Sequence, residues 1–247
     1  MTVKICATSD THNRHKELII PECDIFIHAG DITGEGTESE VIDFLLWLKT
    51  QNQIKHKIIV PGNHDHIYMK YRNDRFNMNT PEGRYLFCYN YSGIKILIND
   101  SINVMGINIF GSAWSGYFYD WAFNGIEPRQ HLGNYYKGGP GNCSPDSDHP
   151  LLEDIYNNIP DDTNIIISHG PPAIPQLDTT KEYIRTGSDS LYKRCKELKT
   201  LKYLFCGHIH EGRGIVSENN IHYMNVSYLD RSYNPVRQGQ VFEVNFE

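Results

Sequence analysis

No stretch of the sequence approaches the eighteen or so consecutive apolar residues that a membrane-spanning helix needs. A signal-peptide pattern is missing too, because Met1-Thr2-Val3-Lys4-Ile5 leads directly into a strand-like run. The six cysteines are scattered with no CxxC spacing, so all six are expected to be reduced thiols of a cytoplasmic protein. Basic excess is absent. A net charge of −7 argues against extended nucleic-acid binding through a positive face. It leaves a phosphate substrate open, since a bound divalent ion dominates its own surroundings. No Ser/Gly-rich or charge-rich linker and no internal repeat divides the chain, so residues 1–247 are expected to form a single domain. The glycine-rich Gly138-Gly139-Pro140-Gly141 lacks the Lys-Ser/Thr ending of a phosphate loop.

What the chain does have is a recurring unit, a short apolar run that breaks into polar residues able to bind a metal. Tyr203-Leu204-Phe205-Cys206 ends at Gly207 and is followed by His208 and His210. The runs Lys4–Ser9, Asp24–Ala29, Lys57–Val60 and Asn164–Ser168 break into Asp10 and His12, into Asp31, into Asn63 and His64, and into His169. Between the second and third, Val41, Ile42, Phe44, Leu45 and Leu48 recur at helical spacing, with Thr37 or Ser39 as the cap. Ile94–Asn99 and Ile107–Phe110 read as an antiparallel pair opening a second sheet, and Ile67–Asn90 and Glu127–Pro150 as irregular excursions. Short helices are expected at Leu151–Tyr156 and Ser188–Leu198. Gly214–Ser217 and Ile221–Val226 form a hairpin by their turn chemistry, and Gln240–Phe246 is a last strand. The fold class is α/β, with two packed mixed sheets.

Open α/β sheets collect ligands at the carboxyl ends of their strands. The collected set is carboxylate, imidazole and one amide oxygen, chemistry that suits Mn, Fe, Zn or Mg, with Mn favoured, over a thiolate zinc site. Asp10 and His12, at alternate positions of an extended segment, are expected to face one ion. Asp10, His12 and His210 are expected on one metal, Asn63, His169 and His208 on a second, and Asp31 as a bridge between them. Two divalent ions against two aspartates leave net positive charge for a hydroxide and a phosphate oxygen. A hydroxide shared by the metals would attack phosphorus in line, with His64 at the leaving-group oxygen as general acid or hydrogen-bond donor.

In order, Asp10-x-His12, Gly30-Asp31, Gly62-Asn63-His64-Asp65, His169 and Gly207-His208-x-His210 resemble the motifs of calcineurin-like metallophosphoesterases. SDTHNR, HAGDIT, GSAW, FYDWAFN, SHGPP and GHIHEGRG are similar to a subgroup described from brain, the metallophosphoesterase-domain-containing proteins. The resemblance implies a four-layer α/β/β/α sandwich of two mixed sheets flanked by helices. It also implies metal-dependent phosphodiesterase activity on small substrates, cyclic nucleotides included. After Gly30-Asp31 the chain lacks the arginine with which phosphoprotein phosphatases grip a phosphomonoester. The alternatives are a phosphomonoesterase or nucleotide pyrophosphatase with the same site, and a nucleotide-binding regulatory protein with little turnover.

Other residues have plainer readings. His15, His56, His131, His149 and His222 are expected to be solvated and His66 to lie at the surface. His28 and Asp65 are expected to support the site through hydrogen bonds. Arg14 is as well explained by a surface ion pair as by a phosphate contact. The aromatic stretch Trp114–Phe123 is read as core more readily than as a platform for a base.

Overall fold

The computed structural model describes residues 2–70, 93–119, 121–127 and 149–245. Two mixed sheets carry the fold; a separate short pair, β7 (Ser115–Gly116) and β8 (Asn124–Gly125), is parallel. In the first, β2 (Cys23–Ala29) and β3 (Ile54–Val60) lie parallel beside β1 (Thr2–Thr8), and β4 (Ile94–Ile96) extends them. The closing strand β13 (Gln240–Asn245) runs antiparallel on the other side of β1. In the second sheet, β6 (Ile107–Ser112), β9 (Ile165–Ser168), β10 (Tyr203–Cys206) and β12 (Ile221–Asn225) are parallel. β5 (Asp100–Val104) and β11 (Gly214–Glu218) are its antiparallel edges. Ile25 to Ala29 and Ile165 to Ile167 are wholly buried. Strands covered on both faces read as near-continuous apolar runs, and these do, His28 being the one polar residue among them. The buried side chains form one contiguous cluster that includes residues of both sheets.

Local signals place the connecting elements. The helix Glu38–Lys49 starts at a capping box in which Thr37 accepts from the Glu40 amide and Glu40 accepts from the Thr37 amide, so Thr37 is the cap. Its apolar stripe Val41, Phe44, Leu45 and Leu48 is buried. Helices Leu152–Asn157 and Asp189–Glu197 lie within a residue or two of expectation, the second capped by Ser188. The hairpin of β11 and β12 turns through Asn219 and Asn220, with φ of 52° and 63°.

Two expectations are corrected. Ile94–Asn99 does not pair with Ile107–Phe110. Ile94 and Ile96 instead add a parallel strand to β3 in the first sheet, and the partner of β6 is β5. The turn between β5 and β6 is Met105-Gly106, both at positive φ (56° and 81°), a two-residue geometry that pairs Val104 with Ile107. Methionine is an uncommon residue for such a turn, which hid the hairpin. His15 is not solvated. It sits in a single 3-10 turn, His15–Glu17, that sends Lys16 and Glu17 outward and the imidazole inward, fully buried against Phe44 and Trp47 at ring distances of 5.2 and 5.1 Å. Most of Ile67–Asn90 and of Glu127–Pro150, and with them His131, lie outside the described residues.

Burial pushes the His15 pKa down from its ordinary 6.5 to about 4, against the attraction of Asp43. A base whose folded pKa is depressed contributes stability that is intact above the unfolded value and lost as pH falls toward the folded one. Acidification from pH 6.5 to 4 therefore costs on the order of 2–3 kcal/mol at this residue. His15→Leu should flatten that part of the stability–pH curve in denaturant titrations. Parallel curves for the two proteins would remove His15 from the acid response.

Candidate metal centre

Six parallel strand ends, from two sheets, meet at one place. β1 runs out into Asp10 and His12, β2 into Asp31, β3 into Asn63 and His64, β9 into His169 and β10 into His208 and His210. The segment after β12 supplies Ser227, which bridges to Ser9 at the end of β1 and so ties the two sheets together there. All eight site residues expected from the sequence are in this cluster. Ligand atoms of Asp10, His12 and His210 lie within 4.8 Å of one another, as do those of Asp31, His169 and His208. A third such group is His12, Asp31 and His64. Asn63 Oδ1 is 2.7 Å from both His169 Nε2 and His208 Nδ1.

The convergence does not arise from extended backbone with alternating side chains. Asp10, His12, Asp31 and His208 have φ of 54°, 39°, 56° and 68°. Left-handed backbone in non-glycine residues costs about 1–3 kcal/mol each and persists where the surroundings over-determine it. The surroundings are visible: the His12 amide donates to the Asp31 carbonyl at 3.1 Å and the Asp10 amide to the Gly30 carbonyl at 2.8 Å. Gly207 is required for space. A Cβ there would lie 2.3 Å from Ser9 Oγ and 2.4 Å from Asp10 Oδ2, and the sharp turn falls on His208. At Gly62 a Cβ would lie 2.2 Å from Asp31 Oδ1.

Four of the five imidazoles are held by a backbone carbonyl, His208 being bonded instead to the Asn63 side chain. Nδ1 of His12 donates to Thr33 (3.1 Å), that of His64 to Gly34 (2.8 Å), that of His169 to Ala29 (2.9 Å) and that of His210 to Asp230 (2.9 Å). This is the usual way a ligating histidine is oriented. Nε2 of His12 is buried without a hydrogen-bond partner, 3.7 Å from the Asp31 carboxylate. Burial pushes His12 down to about 4 and His208 to about 3, the latter also opposed by the nearby His169. Both are therefore neutral, with a lone pair to offer. The carboxylates behave oppositely. Burial works to raise Asp10 and Asp31, yet contacts with His210 and His169 hold them well below the ordinary carboxylate value. Burial likewise works against charge on His169 and His210, but Asp31 and Asp10 raise each to about 9. Two buried carboxylates thus demand positive charge, and a lone imidazole nitrogen faces them. The residues fit divalent cations.

The calcineurin-like phosphoesterase family pattern matches residues 3–212. The chain belongs to that family. Family members use divalent metals in hydrolysing phosphoric esters, and here Asp10, His12, Asp31, His169, His208 and His210 are candidate metal-binding residues. The human and mouse proteins called metallophosphoesterase domain-containing protein 1 are each 30% identical over 98% of this chain and 71% of their own length. A Caenorhabditis elegans relative, UPF0046 protein K07C11.7, is 26% identical over 93% of the chain and 71% of its own. Among solved structures, the phosphopantetheinyl hydrolase of Mycobacterium tuberculosis superposes with a TM-score of 0.56 at 14% identity, covering 93% of this chain and 90% of that one. A dimetal phosphatase from Danio rerio gives 0.50 at 11%, covering 90% and 86%. These likenesses show the metallophosphoesterase fold.

The remaining expected residues of this phosphoesterase fall as follows. Asp65 is fully buried and accepts from the Gly62 amide (2.7 Å), the Thr33 amide (3.0 Å) and Thr33 Oγ1 (2.6 Å), so it braces the turns that carry Asp31, Asn63 and His64. Burial and the Asp31 charge push its pKa up to about 6. His28 is buried and bonded to Thr11 Oγ1 at 3.0 Å. Arg14 is committed to Glu17 through Nε and Nη2 and to the Tyr233 carbonyl through Nη1. Trp114 and Phe123 are core, whereas Phe118 and Tyr119 are exposed and Trp121 lies 4.0 Å from the His64 ring.

Several residues of the site carry no motif. Ser227 Oγ donates to Asp10 Oδ2 at 2.8 Å, and Asn225 Nδ2 donates to the carbonyls of Gly207 and Ile209, fixing the GHIH turn. The Tyr233 ring lies 4.9 Å from that of His12 and 5.5 Å from that of His210. Only the polar context after a strand, Asn225-Val226-Ser227, hinted at any of them. Asp65→Ala should leave buried donors of Gly62 and Thr33 unsatisfied and lower stability by about 3 kcal/mol, with Asp65→Asn losing less. Chemical denaturation of the two variants measures this, and equal stability of Asp65→Ala and the parent protein would contradict the bracing role.

Proposed function

We propose that the chain is a phosphodiesterase with two divalent ions, manganese favoured, acting on small nucleotide-type phosphodiesters such as cyclic nucleotides. Asp10, His12 and His210 would hold one ion and Asn63, His169 and His208 the other, with Asp31 available to both. When bound, such a pair supplies Lewis-acid charge and a water of lowered pKa close to the phosphorus.

The observation that carries the reading is the setting of His64. Its Nδ1 is bonded to the Gly34 carbonyl at 2.8 Å and its amide to Asp31 Oδ1 at 2.8 Å, and its ring meets that of His12 at 4.5 Å. Nε2 is then the nitrogen left to serve a substrate oxygen, on a residue fastened to the proposed bridging carboxylate. A proton given to the departing alkoxide from there is general-acid catalysis. Asp65, Thr33 and Ala29 hold the surrounding turns and imidazoles in place, so the groups need no reorganisation when charge develops. A diester is favoured over a monoester because Arg14, the guanidinium in the Asp10–His12 block, is spent on Glu17 and a backbone carbonyl. That leaves the extra charge of a monoester without this partner. The described cysteines, Cys6, Cys23, Cys195 and Cys206, are buried free thiols, which supports the cytoplasm as the compartment.

Stripping metals with a chelator should abolish hydrolysis of bis(4-nitrophenyl) phosphate, and Mn should restore it. The diester should be turned over faster than 4-nitrophenyl phosphate. His64→Ala should lower kcat by roughly 10²–10⁴, and Asp31→Ala should lower it while reducing the metal retained after desalting. Full activity in either variant would refute the assignment.

A further inference from the structure

The site has two aromatic side chains at its mouth that the chemistry above does not use. The rings form a continuous arc: Trp121 to His64 at 4.0 Å, His64 to His12 at 4.5 Å, His12 to Tyr233 at 4.9 Å. Trp121 closes the His64 end. Tyr233 closes the opposite end, touching His12 and, at 5.5 Å, His210.

Tyr233 is the more telling of the two. Its backbone is left-handed, with φ of 59°, and the residue is 46% exposed. A bulky residue in that conformation is strained, and core burial does not compensate it. The loop around it is nonetheless tightly built. Asp230 Oδ1 accepts from the amides of Ser232 (2.8 Å) and Asn234 (2.9 Å), the Asp230 amide donates to Asn234, and the Tyr233 amide donates to Asp230. From outside, Arg14 Nη1 donates to the Tyr233 carbonyl at 2.6 Å. The same Asp230 carbonyl receives His210 Nδ1 at 2.9 Å, so the loop is keyed to a candidate metal ligand. The fold holds a half-exposed ring against His12 and His210, at a cost in backbone strain.

We propose that Tyr233 determines specificity, packing on a flat aromatic group of the substrate, a nucleobase being the typical one. This rests on the phosphodiesterase reading. Because Trp121 packs on His64, it belongs to the leaving-group side, and Tyr233 meets the part of the ester that stays on phosphorus. Stacking on a tyrosine face accepts any base and needs no hydrogen-bond code, which fits a site with an exposed ring as its outer wall.

The test is binding, separate from turnover. Mn-loaded protein (residues 1–247) is titrated calorimetrically with thymidine 5′-phosphate and with methyl phosphate, two monoesters that differ in the retained group. The parent protein should prefer the nucleotide by about tenfold. In Tyr233→Ala the ratio of the two affinities should collapse toward one, and in Tyr233→Phe it should be kept. Equal affinities in the parent protein, no measurable binding of either, or an unchanged ratio in Tyr233→Ala would overturn the assignment. Hydrolysis of methyl 4-nitrophenyl phosphate by the same preparation reports on the phosphodiesterase reading alone.

Discussion

Two carboxylates of like charge, Asp10 and Asp31, are buried at the line where the two sheets meet. Burying an ionised carboxylate costs several kcal/mol unless it is paired and hydrogen-bonded. Here the pairing groups are His210 and His169, themselves pressed by burial toward neutrality and kept cationic chiefly by the carboxylates. Each charge depends on the other, and none could exist there singly. Divalent ions would meet the same demand with more charge in less space, freeing both imidazoles to act as neutral ligands. The remaining architecture serves this point. Ser227, the His208 amide and the His64 amide donate to the two carboxylates, and Thr33, Ala29 and Asp230 turn the imidazoles toward them.

Such a cluster could not sit in the interior of a sheet, where backbone groups are taken up by strand pairing. It sits where parallel strands end, so that each loop leaves with its side chains aimed outward past the last pair. Five loops crowd into one volume, which explains the left-handed backbone at Asp10, His12, Asp31 and His208 and the absence of side chains at Gly62 and Gly207. Strain of this kind is tolerable only because the strands beneath are secured by cores such as Ile25–Ala29 and Ile165–Ile167.

The strands and the residues that cluster at their ends were legible because each signal is local. An apolar run followed by Asp, His or Asn is a pattern a few residues long, and five of them in order suffice to name the fold. The local geometry was less legible. Asp10 and His12 were expected to converge through extended alternation, yet they do so through positive φ, a choice set by bonds to Gly30 and Asp31 from another strand. The misplaced Ile94–Ile96 strand has the same origin: a three-residue strand carries no mark of which sheet it joins, and the Met105-Gly106 turn does not advertise itself. His15 was misjudged because its neighbours in sequence are polar, while its neighbours in space, Phe44 and Trp47, come from a helix more than twenty residues later.

Tyr233 marks a sharper limit. The chemistry of the centre needs particular atoms at particular strand ends and so leaves motifs, whereas a wall against a flat ligand needs only a ring at a certain height. Many residues and many loops could provide that, and no spacing records which one does. The two requirements are physically separable here: His210 reaches the cluster through the GHIH turn, and Tyr233 reaches over it from a loop anchored on Arg14 and on the Asp230 carbonyl that also holds His210. A change in that loop can alter which ester is accepted while the carboxylates and imidazoles below keep their places. The shared Asp230 carbonyl sets the bound on this freedom, because moving the wall far enough would also turn His210 away from Asp10.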